Sequence, residues 1–141
     1  MIWFLRHGDA EDGDDDFQRP LTAKGERQSK TAGEALAALG VSIDACITSP
    51  RVRALDTARI ACEALDVEPE VADDLFGGPF DPGDLAAGRG NVLLVGHEPD
   101  FSLAVHDLTG ARIEMKKGGL AAVDGEILVT LLRPAQIKKL A

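Results

Sequence analysis

Short apolar runs that end in polar or turn-forming residues recur along the chain. Runs of this kind predict buried strands, and they alternate here with stretches of helical spacing. The predicted strands cover residues 2–5, 41–48, 91–96, 120–123 and 127–132. The last two runs lie on either side of Asp124-Gly125, a pair that favours a tight turn, so they predict an antiparallel hairpin.

Small and apolar positions at helical spacing fill most of the chain between these strands. Thr22 is suited to cap the first helix, which we expect to end at Gly40. Ser49 and Pro50 fit the N-cap and first position of a second helix that reaches about Leu65. Further helices are predicted for residues 99–108 and from Pro134 onward.

This order of elements predicts a three-layer α/β fold, with a mostly parallel central sheet, helices on both faces and an antiparallel hairpin at the edge near the C-terminus. Residues 74–90 are rich in glycine and proline and predict a mobile loop. With 141 residues and a hydrophobic fraction of 45%, the chain is expected to form a single domain spanning residues 1–141.

Composition narrows the class of partners. No apolar run approaches the roughly 18 residues of a membrane span, and no signal sequence opens the chain, so we expect a cytoplasmic protein. The formal net charge of −9 repels nucleic acid and anionic membranes, and neither is an expected partner. An anionic ligand therefore needs a local basic pocket.

Three predicted strand ends carry basic or imidazole side chains. They are Arg6 with His7, then Arg51 with Arg53, and then His97. In a parallel sheet these ends meet at one edge, which is where open α/β sheets bind ligands. Clustered positive charge in an acidic chain indicates an anion, and phosphate suits arginine best. Because neutral histidine can attack phosphorus, the pattern predicts phosphoryl chemistry.

His7 is the candidate nucleophile. The positive charges around it are expected to disfavour the imidazolium form and to keep the ring neutral. One ring nitrogen also needs an orienting hydrogen bond, which a backbone carbonyl in the Gly8 turn can accept. The acidic stretch 9–16 that follows predicts a solvated loop, because Phe17 stands where a calcium loop requires glycine.

Four stretches of the chain together resemble the histidine phosphatase superfamily, and within it the short SixA-type phosphohistidine phosphatases. The stretches are residues 5–10, 19–25, 49–54 with 57–58, and 95–99. They follow the family's order and span nearly the whole chain. The resemblance implies a phosphoglycerate mutase-like fold and a phosphohistidine intermediate on His7, with Arg6, Arg53 and His97 holding the phosphoryl oxygens. Gly8 is a further phosphate-binding candidate.

Three residues are secondary candidates within this resemblance. Arg51 would turn away from Arg53 on a helix, so we expect it at the rim or on the substrate. Arg19 either lines the pocket or forms a structural salt bridge. Asp74 is the candidate general acid for an alkoxide leaving group. Three nearby carboxylates are alternatives for that acid: Asp73, Asp81 and Asp84.

The predicted function is a metal-independent phosphatase that removes phosphate from phosphohistidine on a partner protein, for example a histidine phosphotransfer domain. Relatives that act on small metabolites normally insert helices between the second and third motifs, whereas only residues 54–96 separate Arg53 from His97 here. A small-molecule phosphomonoesterase and a non-catalytic phospho-ligand binding module are the alternatives. No cofactor or metal is expected, since Phe101 interrupts the zinc pattern that begins at His97.

Overall fold

Six strands and five helices make up the structure, a computed structural model that describes residues 1–141. The strands are β1 (Ile2–Arg6), β2 (Ala45–Thr48), β3 (Pro69–Val71), β4 (Val92–Gly96), β5 (Leu120–Asp124) and β6 (Ile127–Leu132). The helices are α1 (Ala23–Ala38), α2 (Val52–Cys62), α3 (Pro82–Ala86), α4 (Asp100–Thr109) and α5 (Pro134–Leu140). Two 3-10 turns cover Asp16–Gln18 and Asp73–Leu75.

All six strands belong to one sheet, in the order β3-β2-β4-β1-β5-β6. The pairs β2/β3, β2/β4 and β1/β4 are parallel, whereas β5 is antiparallel to both β1 and β6. This topology confirms the predicted α/β class with its antiparallel hairpin at the edge. The strands β2, β4 and β1 are adjacent and parallel. Their last residues, Thr48, Gly96 and Arg6, therefore lie side by side at the C-terminal end of the parallel strands.

Apolar side chains on the two faces of the sheet form two layers of core. On one face Leu5 and Val95 pack with small residues of α1 and α2 and with Ile137 of α5. On the other face Phe4 packs with Phe101 of α4, and the two rings meet edge to face with centroids 5.3 Å apart. Helices on both faces therefore enclose the sheet, as predicted.

Two strands differ from the sequence-based expectation. β2 begins at Ala45 rather than at residue 41, because the amide of Val41 donates to the carbonyl oxygen of Leu36 at the end of α1. β3 was not predicted. It has three residues, begins with Pro69 and lies at the exposed edge of the sheet, so neither its length nor its pattern marks it as a strand.

The start of α2 also differs from the prediction. The helix begins at Val52 and not at Pro50, and Arg51 takes the N-cap position without a side-chain cap bond. The predicted loop 74–90 contains α3, capped by Asp81, whose side chain accepts from the amide of Asp84. No helix of the chain is long and apolar enough to cross a membrane.

Glycines let α1 approach its neighbours closely. A Cβ on Gly33 would lie 2.3 Å from the carbonyl oxygen of Ala61 in α2. Nearer the start of α1, a Cβ on Gly8 would lie 2.5 Å from the carbonyl oxygen of Gly25. α1 therefore packs directly against both α2 and the turn that follows β1.

Candidate active site

Backbone hydrogen bonds extend the sheet beyond the strand ends into the candidate site. The amide of His7 donates to the carbonyl oxygen of Gly96 at 3.0 Å, and the amide of Ser49 donates to that of Val95 at 3.0 Å. On the other side of β1, the amide of Gly118 lies 3.1 Å from the carbonyl oxygen of His7. The residues directly after β1 and β2 are thus held by the same ladder as the strands.

His7 is buried, with 6% of its surface exposed. Its Nδ1 lies 2.7 Å from the carbonyl oxygen of Gly8, which can only accept, so Nδ1 carries the proton and Nε2 the free electron pair. Burial lowers the pKa of His7 to about 4, with further contributions from the charges of Arg53, Arg6 and Lys117. The low pKa agrees with the predicted neutral ring, and burial contributes more to it than the neighbouring charges.

Gly8 shapes the turn that follows His7. Its amide donates to Oγ1 of Thr57 at 3.1 Å, and its carbonyl oxygen accepts the bond from His7. Oγ1 of Thr57 in turn donates to the carbonyl oxygen of Arg53 at 2.7 Å, so the turn is tied to α2. Because both backbone groups of Gly8 are bonded within the protein, the structure disfavours its predicted role as a phosphate ligand.

His97 lies opposite His7 and is also buried, with 7% exposed. The two ring centroids are 5.2 Å apart. Nε2 of His97 is 2.8 Å from Oγ of Ser49, and that oxygen also accepts from the amide of Arg51 at 3.2 Å. Burial lowers the pKa of His97 to about 3, reinforced by His7, Arg53 and Arg51.

Arg6 and Arg53 bring guanidinium groups to the same region. Nη1 of Arg6 donates to the carbonyl oxygen of Met115 at 2.9 Å. Arg53 is 7% exposed, and burial lowers the pKa of its guanidinium. Three buried side-chain nitrogens in the chain have no hydrogen-bond partner: Nε of Arg6, Nε of Arg53 and Nδ1 of His97. All three belong to residues predicted to hold phosphate.

Asp16 joins three arginines at the edge of this cluster. Its carboxylate pairs with Arg19 at 3.1 Å, with Arg53 at 3.4 Å and with Arg51. Nη1 of Arg53 also donates to the backbone oxygen of Asp16 at 2.8 Å. The expectation that Arg51 turns away from Arg53 is wrong, because α2 begins only at Val52 and leaves Arg51 in extended backbone.

Arg51 and two aromatic rings form a rim beside Asp16. Nε of Arg51 donates to the carbonyl oxygen of Phe76 at 2.7 Å, and its guanidinium carbon lies 4.2 Å from the centre of the Phe76 ring. Phe17 stacks on Phe76 with centroids 6.2 Å apart. The 3-10 turn at the end of the acidic loop 9–16 therefore packs against the candidate site through Asp16 and Phe17.

The predicted general acid is not joined to this cluster. Asp74 lies in the exposed 3-10 turn, and no hydrogen bond or ion pair links it to His7 or His97. Asp73 shares that turn, and the carboxylate of Asp81 caps α3 by accepting from the backbone amide of Asp84. Nothing in the geometry singles out one of the four carboxylates.

Three residues of the site escaped sequence reasoning. Ser49 directly follows β2, and this position at a strand end could have indicated a site residue. Because proline follows it in sequence, the local pattern at Ser49 predicts a helix cap instead. Asp16 is one of several aspartates in an acidic loop, and Lys117 reaches Asp9 at 3.4 Å only because β5 pairs with β1. No group of three or more His, Cys, Asp or Glu side chains is arranged to hold a metal ion.

Comparison with known proteins identifies the family. The family model for the histidine phosphatase superfamily (branch 1) matches residues 2–76. This chain belongs to the histidine phosphatase superfamily. This histidine phosphatase is 35% identical to an uncharacterized protein of Picosynechococcus sp., and the match covers 84% of this chain and 81% of that protein. The resemblance noted from four sequence stretches is confirmed, and the protein is a phosphatase.

Named relatives and solved structures agree with this assignment. The histidine phosphatase is 34% identical to the mitochondrial serine/threonine-protein phosphatase Pgam5 of Drosophila melanogaster, and the match covers 80% of this chain but 37% of Pgam5. The structure of the protein histidine phosphatase SixA complexed with tungstate superposes with a TM-score of 0.84 at 25% identity, covering 97% and 99% of the two chains. A putative SixA from Agrobacterium tumefaciens shares the fold, with a TM-score of 0.82 at 22% identity over 94% and 97%.

Proposed function

We propose that this histidine phosphatase hydrolyses its substrate through a phosphohistidine intermediate on His7, without a metal ion. The observation that carries the proposal is the set of buried nitrogens without partners on Arg6, Arg53 and His97. Buried polar atoms are normally hydrogen-bonded, and these three lie on side chains grouped around one neutral imidazole. A phosphoryl group bound against His7 offers acceptor oxygens to this cluster.

In the proposed first step, Nε2 of His7 attacks phosphorus. The bond between phosphorus and the leaving group breaks as the bond from nitrogen to phosphorus forms. The low pKa of His7, about 4, leaves Nε2 unprotonated at neutral pH. Arg6 and Arg53 stabilise the negative charge that spreads over the equatorial phosphoryl oxygens.

Ser49 is proposed to set the tautomer of His97. Its oxygen accepts from the amide of Arg51, and in this proposal its own proton is donated to Nε2 of His97. The proton of His97 then resides on Nδ1, one of the unpartnered nitrogens, and is donated to a phosphoryl oxygen.

In the second step, water attacks phosphorus and the bond to His7 breaks, which releases inorganic phosphate and regenerates the neutral ring. The leaving group must gain a proton in the first step, and Asp74 is the proposed donor when that group is an alkoxide. Asp16 is unsuited to this task, since its bonds to Arg19 and the charges of Arg53 and Arg51 lower the pKa of its carboxyl.

The proposed substrate is phosphohistidine on a partner protein, such as a histidine phosphotransfer domain. Residues 54–96 contain the greater part of α2, then β3, α3 and β4 with their connecting turns, so no inserted helical layer covers the site. Imidazole leaves more readily than an alkoxide, which suits a site whose candidate acid is exposed and unattached. SixA and Pgam5 are both named as protein phosphatases. We further propose that residues 1–141 act as a single domain.

The decisive experiment follows release of inorganic phosphate by phosphorus NMR in the presence of a chelator. A phosphohistidine peptide and a sugar phosphate compete in one tube with the wild type, His7→Ala or His106→Ala. His106 is the third histidine of the chain and is exposed, so its substitution controls for loss of an imidazole. We expect loss of the phosphohistidine signal with the wild type and with His106→Ala only.

Two other results would overturn parts of the proposal. Preferential consumption of the sugar phosphate would identify a small-molecule phosphomonoesterase with the same nucleophile. No turnover of either compound, together with retained phosphate binding, would identify a phospho-ligand binding module.

A further inference from the structure

A groove runs between α1 and α5, beside the candidate active site. It encloses a cavity of about 370 Å³. Lys24 and Arg27 of α1 stand on one wall and Lys138 of α5 on the other, while Gln28 and Gly118 lie at the end nearest the site. The aliphatic stems of the long cationic side chains line such a groove while their charged ends face water.

The cations of this groove have no carboxylate partners. Lys24, Arg27 and Lys138 take part in no ion pair, although the chain carries 24 acidic residues against 15 basic ones. Several exposed cations elsewhere do pair, as Lys30 does with Glu34 on the same helix. Three unpaired positive charges on facing walls complement an anionic partner rather than the protein's own surface.

Two residues that line the groove bond to the segment that contains His7. The side chain of Gln28 accepts from the amide of Asp9 at 2.9 Å, and the amide of Gly118 lies 3.1 Å from the carbonyl oxygen of His7. The charge of Lys24 in the groove also acts on Asp9, two residues after His7. A hydrogen bond from Thr22 lowers the pKa of Asp9, as do the charges of Lys117 and Lys24.

We propose that this groove is a docking surface for a carboxylate-rich segment of the phosphorylated partner protein, held beside the site while its phosphohistidine meets His7. This inference rests on the proposed function, because it assigns the substrate's second point of contact. Nucleic acid also carries dense negative charge, but the net charge of −9 repels a long polyanion, whereas a short acidic segment meets mainly the local cations.

Binding of an unphosphorylated peptide tests the groove independently of turnover. A fluorescent glutamate-rich peptide is titrated against the full chain by anisotropy, and a matched peptide with glutamine in place of glutamate measures the contribution of charge. The groove variant combines Lys24→Glu, Arg27→Glu and Lys138→Glu. The control variant combines Lys30→Glu, Arg59→Glu and Arg112→Glu, which are exposed cations outside the groove and change the net charge equally.

We expect the groove variant to bind the glutamate peptide at least about tenfold more weakly than the control variant does. In parallel, the ratio of kcat/KM for an acidic phosphohistidine peptide to that for phosphoramidate should fall in the groove variant only. Circular dichroism verifies that both variants are folded, and the corresponding glutamine substitutions repeat the measurement with a smaller change in charge.

Equal weakening in both triple variants would overturn the proposal, because net charge alone would then explain binding. Tighter binding of an oligonucleotide than of the glutamate peptide would overturn it in favour of a nucleic-acid surface. If the peptide binds through the groove but His7-dependent turnover fails, the docking surface stands and the proposed function falls. If turnover persists and the groove variant binds normally, only the docking surface falls.

Discussion

Asp16 brings a negative charge among the arginines that we propose bind phosphate. Its carboxylate contacts Arg19, Arg51 and Arg53, while its side chain remains 52% exposed. A phosphoryl group held by Arg53 must therefore share that guanidinium with Asp16 or displace the carboxylate. Displacement into solvent costs little for a half-exposed ion pair.

Asp16→Asn is accordingly expected to tighten binding of inorganic phosphate by about fivefold, since one competing charge is removed at a half-exposed pair. The inhibition constant of phosphate, measured during turnover, reports this change. Asp14→Asn provides the control, because Asp14 lies in the same acidic loop and makes no ion pair or hydrogen bond there. Weaker phosphate binding in Asp16→Asn would mean instead that Asp16 holds the arginines in place.

Ser49→Ala tests the proposed tautomer of His97. Loss of the hydroxyl should lower kcat about tenfold or more with little change in KM, because the phosphate contact of His97 then loses its fixed proton position. Nitrogen NMR of the His97 ring should show a mixture of tautomers in this variant.

Ser29→Ala removes another buried hydroxyl, one that bonds only to the carbonyl oxygen of Gly25 within α1. It controls for the loss of packing. An equal fall of kcat in both serine variants, or an unchanged His97 spectrum in Ser49→Ala, would contradict a positioning role for Ser49.

At the scale of elements, the sequence predicts most reliably those segments whose own pattern determines them. β1 and β4 are apolar runs bounded by polar or turn residues. The helical periodicity of α1 and its cap at Thr22 can likewise be recognised from the local sequence, without knowledge of what α1 packs against. β3 is a strand only through its pairing with β2, and the start of β2 depends on how α1 ends. Such boundaries are decided by tertiary contacts that no local pattern contains.

The candidate site divides in the same way. Arg6 ends β1, and His7 and His97 directly follow β1 and β4, so the parallel order of these strands is sufficient to bring the three residues together. Asp16 reaches the site through contacts between loops, and an aspartate in an acidic loop is equally suited to solvent. Ser49 does follow a strand end, but a serine before proline is equally suited to a helix cap. Sequence reasoning therefore finds the centre of the site and misses the contacts that orient it.

Gly33→Ala tests the contact between α1 and α2. Alanine has the higher helix propensity, by about 1 kcal/mol, yet its Cβ would meet the backbone oxygen of Ala61, which cannot move without shifting α2. We expect a net loss of roughly 1–3 kcal/mol in the free energy of unfolding, measured with urea.

Gly83→Ala in α3 provides the matched control for that substitution. A Cβ there approaches nothing closer than the side chain of Asp81 at 3.4 Å, so its effect should be close to zero or slightly stabilising. A stabilising Gly33→Ala would show that the two helices can separate without cost.

At the scale of the whole molecule, the two buried imidazoles couple folding to protonation. Unfolding exposes His7 and His97, whose pKa then rises from about 4 and about 3 to 6.5. Below pH 6.5 the unfolded chain therefore binds protons that the folded protein does not, and stability falls as the pH drops. For His7 the loss between pH 6.5 and about 4 is on the order of 3 kcal/mol.

Urea unfolding at several pH values between 6.5 and 4 measures this loss. The double variant His7→Gln/His97→Gln should show a flatter profile than the wild type across that range, whereas His106→Gln should retain the wild-type slope. Asp9 and Asp16 have a lowered pKa, so the stability they contribute is lost only below their usual value of 3.8. A wild-type slope in the double variant would assign the acid sensitivity to other groups.

The backbone bonds that carry the sheet ladder into His7 and Ser49 bear on how this protein can change over evolution. Moving the nucleophile would require breaking bonds shared with β4, and thus with the middle of the sheet. The rim around Phe17 and Phe76 and the α1/α5 groove carry no such constraint. New substrate preferences should therefore arise from substitutions in these surfaces. An engineer who seeks a different specificity would diversify the rim and the groove and leave the hydrogen-bonded backbone around His7 unchanged.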